Sequence, residues 1–110
     1  MSIYDLSSDA IVLHNGKYRA AWKSNKPTIV FIHAKWCGYC KRTMPEFIAA
    51  SGLTSVVSFA TIEDVVLKEM KNPIPVSGFP TFFKVGSDGV LVKIDFPREK
   101  SEMIKFINDM

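Results

Sequence analysis

Only two cysteines and two histidines occur in the 110 residues. A closed zinc site takes four ligands at short, fixed spacings. His14 and His33 stand in no C-x-x-C…H-x-x-x-H arrangement with Cys37 and Cys40, so no metal is expected. No apolar run approaches the roughly 18 residues of a membrane helix. The N-terminus MSIYDLSSDAIV lacks a basic opening and carries Asp5 and Asp9 where a signal peptide would be apolar. There is no dense basic stripe either. The net charge is +3, with short clusters at Lys35, Lys41 and Arg42 and at Arg98 and Lys100, which argues against a nucleic-acid partner. Repeats, low-complexity segments and linkers are also missing. The expectation is one domain over residues 1–110, cytoplasmic, working without a membrane. A chain of this length with 47% hydrophobic residues can build its core without disulfide support.

What is present is a regular alternation of strand and helix signals. Residues 10–14 (AIVLH) read as a short strand followed by an Asn15-Gly16 turn. Residues 17–24 (KYRAAWKS) are expected to form a short helix or helical turn. After the Lys26-Pro27 break, 28–33 (TIVFIH) is apolar on both faces, the pattern of a buried strand. Gly38 to Ala50 has helical composition, with Met44, Phe47 and Ile48 on one face, Pro45 inside as an expected kink and Gly52 as the stop. Residues 54–62 form the next buried strand, and Glu63 to Lys71 a short helix. Asn72-Pro73-Ile74-Pro75 breaks the chain. TFFKV (81–85) and Val90 to Ile94 flank a Gly86-Ser87-Asp88-Gly89 hairpin turn. Pro97 marks a helix start, and Ser101 to Met110 repeats apolar residues at Met103, Ile104, Ile107 and Met110 at helical period. The class is α/β: a central mixed sheet flanked by helices on both faces.

The chemistry concentrates in Trp36-Cys37-Gly38-Tyr39-Cys40-Lys41, directly between a strand and a helix. Four readings compete for the Cys-x-x-Cys pair: a redox dithiol, part of a zinc site, a structural disulfide, or coincidence. The strand-to-helix context favours the first. The N-terminus of a helix carries partial positive charge and free N–H groups, which favour a thiolate. Cys37 at the cap is therefore the attacking sulfur. Cys40, nearly one turn on, can close a small ring with it and resolve a mixed disulfide. Lys35 and Lys41 add positive field, and Trp36 offers a flat apolar surface to a client.

With these residues and Phe79-Pro80-Thr81 in view, the chain resembles the thioredoxin family over nearly its whole length, most clearly over residues 28–94. Trp36-Cys37-Gly38-Tyr39-Cys40-Lys41 matches the family signature, Pro45 stands eight residues past the first cysteine, and Pro80 matches the family's cis-proline. The resemblance implies the thioredoxin fold and a thiol–disulfide oxidoreductase that needs no cofactor. Cys37 and Cys40 would be catalytic. Trp36, Gly38, Tyr39, Phe79 and Pro80 would hold the client, with the Phe79 backbone pairing to an extended peptide. The partners implied are protein clients with disulfides and a reductase that recycles the pair. A monomer is expected.

Three departures stand out. Tyr39 replaces the proline that thioredoxins proper carry between their cysteines, which suggests a less reducing centre. Phe31 stands six residues before Cys37, where thioredoxins bury an aspartate that accepts the proton of the resolving thiol; TIVFIH contains no carboxylate. Phe96-Pro97 falls where the family places a groove glycine. His33, four residues before Cys37, reads either as a hydrogen-bonded core residue or as a group that tunes the thiolate near neutral pH. Two other functions stay open: a glutaredoxin-like enzyme using glutathione, and a non-enzymatic binding module with a redox switch.

Overall fold

The computed structural model describes residues 3–110; Met1 and Ser2 lie outside the described residues. The chain runs β1 (Ile3–Asp5), β2 (Ile11–His14), β3 (Lys17–Ala20), β4 (Thr28–His33), α1 (Gly38–Ser51), β5 (Ser58–Glu63), α2 (Asp64–Glu69), β6 (Thr81–Val85), β7 (Leu91–Ile94) and α3 (Lys100–Asn108). Five strands form one sheet in the order β1-β5-β4-β6-β7. β1 and β4 lie parallel to β5, while β6 runs antiparallel to β4 and β7 antiparallel to β6. This is the thioredoxin fold.

β4 is the central strand, and its side chains alternate between two cores. Ile29 and Phe31 enter one, with Phe47, Phe59, Phe82, Phe96, Met103 and both cysteines. Val30 and Ile32 enter the other, with Ala60, Ile62, Leu67 and Phe83. Every strand residue from Thr28 to Ile32 is buried, which is why the sequence there is apolar without alternation. α1 and α3 pack together on the first face, and α2 covers part of the second.

The segment expected to be helical at 17–24 is instead strand β3 over Lys17–Ala20, paired antiparallel with β2. Asn15 and Gly16 both take positive φ, 53° and 76°. A two-residue turn with positive φ at both positions matches the twist of a hairpin, so the backbone at Asn15-Gly16 dictates a strand on each side. Tyr18 and Ala20 then pack on the second core, and the Tyr18 hydroxyl donates to the Pro73 carbonyl at 2.8 Å. Strand β1 also falls where no element was expected. The last helix begins at Lys100, with Glu99 as its N-cap, rather than at Pro97, and ends at Asn108, short of Met110.

Candidate active site

The cysteines sit where the central strand hands over to its helix. β4 ends at His33, and Ala34, Lys35 and Trp36 turn the chain into α1. The Cys37 N–H donates back to the Ala34 carbonyl at 3.1 Å. Cys37 is the N-cap of α1, with extended backbone (φ −87°, ψ 112°). Its sulfur accepts the Cys40 N–H at 3.2 Å. A helix start leaves such N–H groups without backbone partners, and here a sulfur takes one of them. The Cys37 Sγ also donates to the Phe79 carbonyl at 3.6 Å. The attacking candidate is thus held between a helix N-terminus and the backbone of the Phe79–Pro80 bend, whose peptide bond is cis.

Both thiols are free and both are buried, Cys37 at 5% and Cys40 at 2% exposure. Burial, and then the hydrogen bond with the Cys37 side chain, push the Cys40 thiol up to about 12. The backbone hydrogen bond at Ala34 and the charge of Arg98 pull the other way without winning. Cys40 therefore keeps its proton through neutral pH. Phe31, at the position expected to lack a carboxylate, is fully buried and stacks on Phe82 with centroids 4.8 Å apart.

The surrounding residues divide into two groups. Trp36 and Tyr39 stand out from the surface, 71% and 67% exposed. The Trp36 ring meets Phe79 edge-on at 5.6 Å, and its indole N–H donates to Asp64 at 3.2 Å. The Arg42 guanidinium lies 4.7 Å above the Tyr39 ring. Gly38 opens α1, and Pro80 leads directly into β6. Trp36 touches Phe79 and the Phe79 carbonyl touches the Cys37 sulfur, so these three share one surface, with Gly38 and Tyr39 following Cys37 in the first turn of α1. Lys35 turns outward to Glu63 at 3.8 Å with its side chain 86% exposed, an arrangement that contributes little energy. Lys41 is exposed, and only its backbone N–H reaches Cys37, donating to the carbonyl at 3.1 Å.

His33 is half-buried, its ring tilted against Phe31 at 5.4 Å and in register with Glu63. Burial lowers its pKa below the ordinary 6.5, against the opposing pull of Glu63, Asp5 and Asp64. Neutral imidazole is the form this environment selects. Asp5 itself accepts a hydrogen bond from the Thr61 hydroxyl. Among the described residues no group of three or more His, Cys, Asp or Glu side chains is placed to hold a metal ion.

Two residues not singled out as site residues from the sequence stand at this surface. Asp64 anchors the Trp36 ring, and its signal is register: β5 ends beside β4, so the first residue of α2 lands next to the motif. Arg98, on the connection between β7 and α3, holds its guanidinium 5.7 Å above Phe82, near enough for its charge to lower the Cys40 pKa. In sequence it is only half of a short basic pair with Lys100.

The thioredoxin family model matches residues 9–109. A protein disulfide-isomerase of Medicago sativa is 33% identical over 94 residues, covering 78% of this chain and 17% of that protein. The chain spans between 14% and 20% of the length of the curated relatives it matches. Among solved structures, Fasciola hepatica thioredoxin superposes with a TM-score of 0.63 at 20% identity, over 78% of this chain and 82% of that one. Human ERp44 in its zinc-bound form superposes with a TM-score of 0.73 at 18% identity, over 98% of this chain and 31% of that one. With the family model covering nearly all of the sequence and the Cys-x-x-Cys pair capping α1 beside the Phe79–Pro80 bend, this chain belongs to the thioredoxin family.

Proposed function

We propose that the chain catalyses thiol–disulfide exchange with protein clients and works as a reductase of their disulfides. The observation that carries this reading is the placement of the Cys37 sulfur, in contact with both the Cys40 N–H and the Phe79 carbonyl. Cys37 as thiolate attacks one sulfur of the client disulfide. A mixed disulfide forms and the first client sulfur leaves as a thiolate. Cys40, losing its proton to solvent, attacks the Cys37 sulfur. The Cys37–Cys40 bond forms and the second client thiolate leaves. Two electrons pass to the client, and its two sulfurs take up two protons. Phe79 and Pro80 present backbone to an extended client as an added strand, and Trp36 and Tyr39 cover the exchange from the solvent side.

In this reading the chain acts as one domain and as a monomer, in a reducing compartment such as the cytoplasm. A second reductase must return the two electrons. The similarity to protein disulfide-isomerases favours a second direction, disulfide donation and shuffling, as do Tyr39 between the cysteines and Phe31 beneath them. The equilibrium potential of the Cys37/Cys40 pair in glutathione buffers separates the two. A value near about −270 mV supports the reductase. A value between about −180 and −120 mV overturns it in favour of donation or shuffling.

A further inference from the structure

A groove of about 590 Å³ opens beside the Phe79–Pro80 bend, and its far wall is β7 and the segment leading to α3. Its lining combines Pro80, Phe82 and Phe96 with Lys93, Asp95 and Arg98. The charges on the two sides of the cysteines differ. On the Trp36 side, Lys35 pairs with Glu63, and Asp64 accepts the Trp36 N–H. Across the site, Lys93 and Arg98 line the groove with one carboxylate, Asp95, while Lys41 and Arg42 follow Cys40 in α1; all four cations are exposed, and none forms an ion pair among the described residues. The first turn of α1 contains no acidic residue. Two of these cations, Arg42 and Arg98, lie over aromatic rings of the site, which fixes their position without using up their charge.

Resting on the oxidoreductase reading, we propose that this groove selects client segments in which an aspartate or glutamate flanks the disulfide. A cleft lined by excess charge of one sign raises the local concentration of the opposite sign and speeds encounter. The planar guanidinium of Arg98 suits a carboxylate, which it can grip with two N–H groups. Lys93 and Arg98 line the same groove as Phe79 and Pro80, so an extended peptide paired to Phe79 and crossing toward β7 would bring a flanking side chain near both cations. A free glutathione disulfide also carries carboxylates, but the cations of the groove lie across from the Phe79–Pro80 bend, where an extended peptide paired to the Phe79 backbone would carry its flanking residues.

The test uses three peptides, identical except that the residues flanking their single disulfide are Glu, Gln or Lys. The rate at which each oxidises the reduced full chain is recorded at about 0.02 M and about 0.5 M salt, where screening lengths differ severalfold. The Glu peptide is expected to react about tenfold faster than the Lys peptide at low salt, with Gln between them and the ratio collapsing toward one at high salt. Arg98→Gln and Lys93→Gln each shrink the Glu-to-Lys ratio; should one fail to fold, the other carries the same test. Any effect of Arg98 on Cys40 cancels in that ratio. Lys26→Glu, just before the end of β4 that lies away from the cysteines, leaves the ratio in place. Equal rates, or a faster Lys peptide, overturn the proposal while leaving the oxidoreductase reading intact. Equal peptide rates together with faster reaction of glutathione disulfide would assign the groove to glutathione. Failure of all three peptides to oxidise the chain overturns both readings.

Discussion

On one face of the central sheet Phe31, Phe47, Phe59, Phe82 and Phe96 interlock, Phe47 meeting Phe31 and Phe59 edge-on at 5.2 and 5.1 Å. On the other face the same strands contribute Val30, Ile32, Ala60, Ile62 and Val85, packed by Leu67, Met70 and the hairpin. Both cysteines belong to the aromatic face. Aromatic rings provide mass and fixed edge-to-face geometry, so they hold α1 and its cap in place. They offer no acceptor for a proton. The result is a resolving thiol that is well positioned and hard to ionise. The aliphatic face does the ordinary work of burial and touches the chemistry only through the strands it shares.

The strongest way to break this comparison is to cut into each face in turn. Phe47→Ala removes the ring that joins Phe31, Phe59 and Phe96, and should cost about 3–5 kcal/mol in denaturant unfolding. Ile62→Val on the aliphatic face should cost about 0.5–1.5 kcal/mol. It should leave the relative reactivity of the two thiols unchanged, whereas Phe47→Ala should narrow it. Equal costs would mean the two faces contribute alike.

A subtler change supplies what the aromatic face lacks. Phe31→Asp places a carboxylate among the rings below the cysteines. Stability should fall, because the group is buried without a partner. Resolution of the mixed disulfide should nonetheless accelerate, by up to about a hundredfold if the new group takes the Cys40 proton. Quenched-flow measurement of mixed-disulfide decay reads this directly, and an unchanged decay would mean Cys40 gives its proton to water in either background. Arg98→Gln works in the opposite direction. It removes a charge that lowers the Cys40 pKa, so resolution should slow a few-fold at pH 8.

The smallest effect concerns His33, beside the aromatic face. Its folded-state pKa lies below 6.5. As pH falls through that value, the unfolded chain takes up a proton before the folded chain does. Stability is therefore lost as pH drops from about 6.5 toward the folded-state pKa, and the histidine contributes no pH dependence above this window. In His33→Gln, unfolding curves between pH 5 and pH 7 should lose this component; identical slopes in both proteins would refute it.

Much of this layout was legible in the sequence because its signals are local. TIVFIH, the motif after it, and TFFKV each carry a hydrophobic period or a turn that no tertiary contact overrides, and they correspond to β4, the start of α1 and β6. The strand expected over 54–62 starts later, at Ser58, since Thr54 to Val57 is spent returning from α1. The failures were non-local. β1 is three residues long and exists through its pairing with β5, and no periodicity can be read in three residues. The helix expected at 17–24 followed composition, while the Asn15-Gly16 turn carried the better information. At the site, the motif cysteines and the missing carboxylate at Phe31 could be read directly. The contacts of Trp36 with Asp64 and of Arg98 with Phe82 could not, because the fold joins residues 28 apart in one case and brings the β7–α3 connection to the site in the other.

The claim that most needs testing is the division of labour between the thiols. A short pulse of iodoacetamide on the reduced full chain, repeated from pH 6 to pH 10 and read residue by residue by mass spectrometry, addresses it. The account predicts that Cys37 takes the label first. Cys40 should be nearly spared, with a rate still rising about tenfold per unit at pH 10, because its thiol is held up to about 12. Labelling of Cys40 before Cys37, or a Cys40 rate that levels off below pH 9, would contradict it.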